Sequence, residues 1–224
     1  MSAAGAGRGP EGQGGLDPGR IAALFTRSDG SYLCARWGRP LAPVVFGAAD
    51  ASLPVIKGAI EAVAALAHHP VAGTDPELGT NFMLFFLRDW AELRGIPALD
   101  RLIEGLGPLV DRLEAAGANQ YRVFRFDDAA GGIRACFSFV RMDAEMAQVP
   151  AGTLALAAAV QAILLWSDTA FTGWPAFVRG ESGVVLLRPE VAGVIRAAYD
   201  PALPGVARDP SHALRLAARI GAVT

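Results

Sequence analysis

The sequence predicts an α+β fold: a mixed sheet with helices packed on it, in one globular domain over residues 18–224. Three observations carry that expectation. Strand-like and helical segments run as strands, helix, strand, helices, hairpin and helices, which disfavours a doubly wound parallel sheet. Asn81 to Leu87 (NFMLFFL) is almost wholly apolar, as a strand covered on both faces is. Leu154 to Val160 (LALAAAV) is apolar all round, the mark of a central helix. A chain of 224 residues buries one good core, whereas two cores would each be small.

Residues 1–17 are rich in glycine and poor in apolar bulk, a composition that favours a disordered tail. They contain Gly7-x-Gly9-x-x-Gly12, but a dinucleotide site needs a strand before that motif and a helix after it, and Pro10 sits inside it. Pro18 suits a first helical turn, and Ile21, Leu24 and Phe25 continue a short helix. Ser28-Asp29-Gly30 then turns the chain into a strand over 31–37. Tyr32, Cys34 and Arg36 share one of its faces, and Leu33, Ala35 and Trp37 the other. A second strand spans 41–46. Asp50 and Ser52 are placed to cap a helix starting near Pro54, along which Ile56, Ile60, Val63 and Ala67 keep helical spacing. After the strand 81–87, closed by Arg88-Asp89-Trp90, residues 97–116 are helical, divided at Gly107-Pro108 and ended by Gly117. Segments 121–126 and 133–140 alternate as a hairpin around Asp127-Asp128 and Gly131-Gly132. A helix over 151–166 follows, then a loop rich in Gly and Trp, then helices over about 189–199 and 210–219.

Composition excludes more than it assigns. The formal net charge is −2, so no overall field favours nucleic acid or an anionic membrane. Of the 20 basic residues only Lys57 is lysine; the arginines are dispersed, which fits coding bias better than a phosphate or carboxylate cluster. The longest apolar stretch, 154–166, is shorter than the roughly 20 residues a membrane-spanning helix needs. No basic start followed by an apolar run marks a secretory signal, so a cytoplasmic location is expected. Cys34 and Cys136 lie in apolar strand-like runs, where a free thiol acts as a small hydrophobe; a disulfide between them requires neighbouring strands.

The motifs of common chemistries are missing. Gly180-Glu181-Ser182-Gly183 has the wrong spacing for a nucleophile elbow, and no Gly-Lys-Ser/Thr follows a strand. The histidines are His68, His69 and His212. Adjacent imidazoles diverge by roughly 100° on a helix, so His68-His69 is a poor chelate and reads as a helix end near Pro70. His212 opens a polar helix and reads as solvated. Asp127-Asp128 belongs to a hairpin loop. Asp89 follows an apolar strand directly, a place where functional acids occur, but pairing with Arg88 or Arg94 is the simpler reading.

Within 154–166 the one strongly polar side chain is Gln161, an amide that needs partners if buried. The run Gln161-Ala162-Ile163-Leu164-Leu165-Trp166-Ser167-Asp168 resembles the end of the active helix in an uncharacterised bacterial zincin-like family. There the helix reads His-Glu-Glu-x-x-Gln, then an Ala-Leu-Gly-Leu-like stretch and an Asp. Leu187-Arg188-Pro189-Glu190 and the run Ile195-Arg196-Ala197-Ala198-Tyr199-Asp200-Pro201-Ala202-Leu203 are similar to its C-terminal helix, which ends in Tyr-Asp-Pro-x-Leu. The resemblance spans residues 40–205 and implies a zincin-like architecture. Counting back from Gln161, the family's His and first Glu fall on Leu156 and Ala157, which neither ligate zinc nor move a proton. The resemblance therefore implies a non-catalytic binding or interaction domain, with no catalytic residue, cofactor or metal. Its candidate cleft is formed by Gln161, Asp168, Tyr199 and Trp166, with Trp174 as a further contact. The partner would be an unidentified protein or small molecule. The alternative is a small hydrolase or transferase that assembles a site from dispersed residues such as Asp89, Asp168, Tyr199 and Arg122.

Overall fold

The computed structural model describes residues 16–127, 129, 131–181 and 183–221. The glycine-rich stretch before Leu16, and Asp128 in the hairpin loop, lie outside the described residues. Leu16 and Asp17, read from the sequence as the end of a tail, already belong to the fold. Leu16 is buried, and the Asp17 carboxylate accepts the backbone N–H groups of Gly19 and Arg20, capping α1 (Pro18–Ala23).

The fold is α+β. After a short strand β1 (Cys34–Ala35), the chain builds a four-stranded mixed sheet from β2 (Pro43–Phe46), β3 (Phe82–Leu87), β4 (Gln120–Phe126) and β5 (Ile133–Arg141). Their spatial order is β2-β3-β5-β4, with the first three parallel and β4 antiparallel at the edge. The side chains of β3 divide by parity, as a pleated strand requires. Phe82, Leu84 and Phe86 enter the cluster under α2 (Leu53–Leu66) and α5 (Ala151–Ile163). Phe85 and Leu87 enter a second cluster with α3 (Leu99–Leu102) and α4 (Leu106–Ala115). Both faces are covered, which is why this strand carries no polar side chain. A hairpin of β6 (Phe177–Arg179) and β7 (Val185–Leu187) precedes α6 (Pro189–Ala198); β8 (Val206–Ala207) pairs with β1, and α7 (His212–Gly221) packs on α1 and α6. Among the described residues no helix is long and apolar enough to cross a membrane.

Several boundaries differ from the sequence reading, each for a physical reason. The strand over 31–37 shrinks to β1 because Tyr32, Arg36 and Trp37 bridge three separate partners: Thr26, Leu164 and Ile133. Ser52 precedes α2 with a helical backbone and makes no side-chain cap, since a 3-10 turn at Asp50–Ser52 leads straight into the helix. The break in 97–116 falls at Gly105, whose φ of +70° suits glycine, while Pro108 enters the first turn of α4, where its missing N–H is not needed. The short strands β6, β7 and β8 lie where the sequence reads as loop; two or three residues are too few to show alternation.

The central helix ends at Ile163, not at Trp166. Side-chain donors from outside the helix take the carbonyls of its last turn. Trp166 Nε1 donates to Val160 O, Trp37 Nε1 to Ala162 O and Tyr199 Oη to Ile163 O, each at 2.8 Å. With these orphan acceptors satisfied, the chain leaves the helix at Leu164, which is extended and bridges Arg36.

Cys34 and Cys136 are free, buried and in separate sheets, and burial pushes both thiols up to about 12. His212 is buried rather than solvated, because α7 lies on α1 and brings its Nδ1 to 3.1 Å from the Tyr32 hydroxyl. Burial, then the charges of Arg215 and Arg36, lower its pKa. Burial also lowers that of His69, although the bond from Nε2 to Arg39 O opposes it. A lowered folded pKa means that the unfolded chain takes up the proton first. The stability these imidazoles contribute is whole above about pH 6.5 and is lost as the pH falls through their folded values. The thermal midpoint is therefore expected to drop on acidification below about pH 6.5, and less so in His212→Gln. An unchanged pH profile in that variant would mean that His212 does not contribute to the acid loss.

Candidate functional site

Two elements and a turn converge at the antiparallel edge of the sheet. Alternation along β4 puts Gln120, Arg122, Phe124 and Phe126 on one face. The last turn of α5 presents Gln161, and residues 164–168 run back past the turn at 26–32. Between them opens a cleft of about 630 Å³, lined by Arg27, Ser28, Asp29, Gln120, Tyr121, Arg122, Val123, Phe124, Phe126, Gln161, Leu165, Trp166, Ser167 and Asp168. That volume is within the usual range for a small-molecule site. Backbone bonds from Leu165 N to Ala35 O and from Ser167 N to Leu24 O fix the returning segment.

Comparison of the chain with family models, curated proteins and solved structures gives no match.

Of the residues the sequence singled out, Gln161, Trp166 and Asp168 line this cleft and Tyr199 does not. Gln161 is half-buried rather than sealed in the core, and among the described residues nothing bonds its amide. Trp166 is mostly wall: its indole stacks on Phe25 at 5.3 Å and tilts on Phe171 at 5.2 Å. Asp168 accepts from Ser28 N at 3.0 Å and from Ser28 Oγ at 2.5 Å, tying the returning segment to the 26–32 turn. Tyr199 stands on the other side of the helix end. Its hydroxyl donates to Ile163 O and accepts Trp37 N, and its ring is flanked by His69 at 5.1 Å and by the Arg36 guanidinium at 5.5 Å. Burial raises its pKa. Trp174 lies under the guanidinium groups of Arg20 and Arg188, outside the cleft.

The electrostatics of the cleft are uneven. The hydroxyl of Ser28, then its N–H, lowers the pKa of Asp168, and the hydroxyl and N–H of Ser31 do the same for Asp29; the charge of Arg27 lowers both. Both carboxylates are therefore acceptors at neutral pH and poor proton donors. Arg122 differs. Burial lowers its pKa, slightly offset by Cys136, and no hydrogen bond or ion pair holds its guanidinium among the described residues. Arg122 lines the cleft.

The other acids flagged in the sequence have structural work elsewhere. Asp89 forms a capping box with Glu92 at the 3-10 helix Trp90–Gly95, and Arg94 pairs with Asp111 at 2.6 Å instead. Asp127 lies 3.8 Å from Arg39. Of the four residues considered for a dispersed catalytic site, Asp168 and Arg122 share the cleft, while Asp89 and Tyr199 lie outside it. His68 sits at the end of α2 with φ +50°, and His69 turns to Arg39 O. Among the described residues no three His, Cys, Asp or Glu side chains stand close enough to hold a metal ion. The sequence reading missed Ser28 and the whole face of β4 apart from Arg122. Their signal was the hairpin alternation, which puts Gln120 and Arg122 on the same face as Phe124.

Proposed function

We propose that this protein is a non-catalytic binding domain that takes a small molecule in the cleft between β4 and the end of α5. One observation carries the reading: a cleft of about 630 Å³ opens over Gln161, while the positions that the zincin-like resemblance assigns to His and Glu hold Leu156 and Ala157. The lining supports it further. Amides and a guanidinium without a bonded partner among the described residues line the cleft with Phe124, Phe126 and Trp166, the mix of apolar wall and few polar groups that small-molecule sites use. The two carboxylates of the cleft are bound to serines and held in their ionised form, which suits positioning rather than proton transfer.

The test is a ligand-observed NMR screen of the full chain against neutral and charged fragments, with Gln161→Phe as a cleft-filled control. Fragments are expected to bind the native protein and to be lost in the variant, whose thermal midpoint should stay close to the parent's. Hits insensitive to the filled cleft would move the site elsewhere. Stoichiometric zinc in the purified protein, together with chelator-sensitive peptidase activity, would overturn the non-catalytic reading.

A further inference from the structure

The geometry points to a small carboxylate on an apolar body as the ligand, its carboxylate on Arg122 and its body along Phe124 and Phe126. The inference rests on the cleft being a ligand site and specifies what enters it. Its basis is a missing partner. Among the other half-buried arginines, Arg36, Arg39, Arg134, Arg141, Arg188 and Arg219 each donate to a carbonyl or a carboxylate. Arg27 lies within charge reach of Asp29 and Asp168. The guanidinium groups of Arg27 and Arg122 both lack a hydrogen bond or ion pair among the described residues, but only Arg122 has no carboxylate acting on its charge, although burial already disfavours that charge. A guanidinium in that setting gains most from an acceptor that brings a negative charge and two oxygens in a plane.

The surroundings select the kind of anion. Gln120 lies two residues away on the same face of β4, and Gln161 borders the cleft from α5, so neutral amides share the lining with the guanidinium, while the two carboxylates of the cleft, Asp29 and Asp168, are bonded to Ser31 and Ser28. The negative end of the α5 dipole is muted, because three of its last carbonyls already accept from Trp166, Trp37 and Tyr199. One buried cation matches a monoanion; the other guanidinium of the cleft, Arg27, has its charge offset by the nearby Asp29 and Asp168 carboxylates. Phe124 and Phe126 continue the same face of the strand away from Arg122, giving an apolar track for the remainder of the molecule.

The test uses the full chain and three probes in calorimetry: 2-naphthoate, its neutral counterpart 2-naphthamide, and inorganic phosphate. Naphthoate is expected to bind about tenfold or more tightly than naphthamide, the scale of a charge-assisted bond, and phosphate weakly or not at all. Arg122→Met should erase the preference for naphthoate, and Arg122→Lys should keep part of it. Arg122→Met should also melt at or above the parent's temperature, because the charge removed has no partner in the fold. Equal binding of naphthoate and naphthamide, both lost in Gln161→Phe, would leave the cleft standing and sink the carboxylate. Tighter binding of phosphate than of naphthoate would sink it as well. No binding of either naphthalene would sink both this inference and the reading it rests on. A marked fall in melting temperature of Arg122→Met would give the guanidinium a structural role and overturn the assignment.

Discussion

Trp37→Ala is expected to lower folding stability by about 3–5 kcal/mol and to loosen the end of the central helix. The indole is buried, packs edge-on against Phe82 at 6.4 Å, and donates its N–H to Ala162 O. The Trp37 backbone meanwhile bridges Ile133 at the start of β5 and donates to the Tyr199 hydroxyl. One residue thus joins the sheet, the end of α5 and the segment carrying Tyr199. Truncation leaves a large void and an acceptor with no donor, and both effects act in the same direction. Trp37→Phe keeps an aromatic ring and a much smaller void while still removing the N–H, so a loss of at least about 1–3 kcal/mol is expected from the orphaned carbonyl, and amide exchange at the helix end separates that effect from the residual void. Denaturant unfolding measures both variants, and amide exchange over residues 160–163 reports the helix end. If Trp37→Phe matched the parent in both, side-chain capping would not be what stops α5 at Ile163. Gln161 stands in that last turn, so a frayed end would also deform the cleft.

What the sequence could reveal follows from the range of the interactions involved. The apolar run in β3, the spacing in α2 and the alternation of β4 and β5 are local patterns, and the structure keeps them nearly as read. The end of α5 is not local. Two of its three capping donors, Trp37 and Tyr199, lie more than a hundred residues before it and about forty after it; only Trp166 is near, and its role depends on the fold turning its indole back onto Val160 O. His212 went astray for the same reason. Its polar neighbours suggest solvent, but the docking of α7 on α1 puts it against Tyr32. Of the cleft, Gln161, Trp166 and Asp168 were legible because they stand close together in sequence. The facing wall comes from β4 some forty residues earlier, and only the sheet order places it there. Tyr199 attracted notice through the resemblance and turns out to be a brace for the helix end.

Asn81→Leu, which keeps the branching of the side chain, is expected to cost at least about 3 kcal/mol at neutral pH. Asn81 is fully buried at the start of β3. Its oxygen accepts Ala42 N at 2.7 Å, and its nitrogen donates to Pro40 O at 2.8 Å and to Asp75 Oδ2 at 3.0 Å. Leucine leaves all three groups without that partner, and of these Ala42 N and the Asp75 carboxylate are buried. The effect carries a pH signature that a packing defect lacks. Burial alone would raise the pKa of Asp75, but the N–H groups of Leu78 and Glu77, the Asn81 amide and Arg39 outweigh it and hold the carboxyl at about 2. Because the folded value lies below the unfolded one, the contribution of Asp75 is whole above about pH 4 and is lost as the pH falls towards 2. Removing the Asn81 donor brings the folded pKa back towards the unfolded value, so part of that contribution is missing at pH 7 and nothing of it remains to be lost in acid. The stability gap between parent and Asn81→Leu should therefore be widest near neutrality and narrow as the pH falls below about 4. Urea unfolding across that range measures it. A gap of constant size would reduce Asn81 to a space-filling residue with no hold on the Asp75 carboxylate.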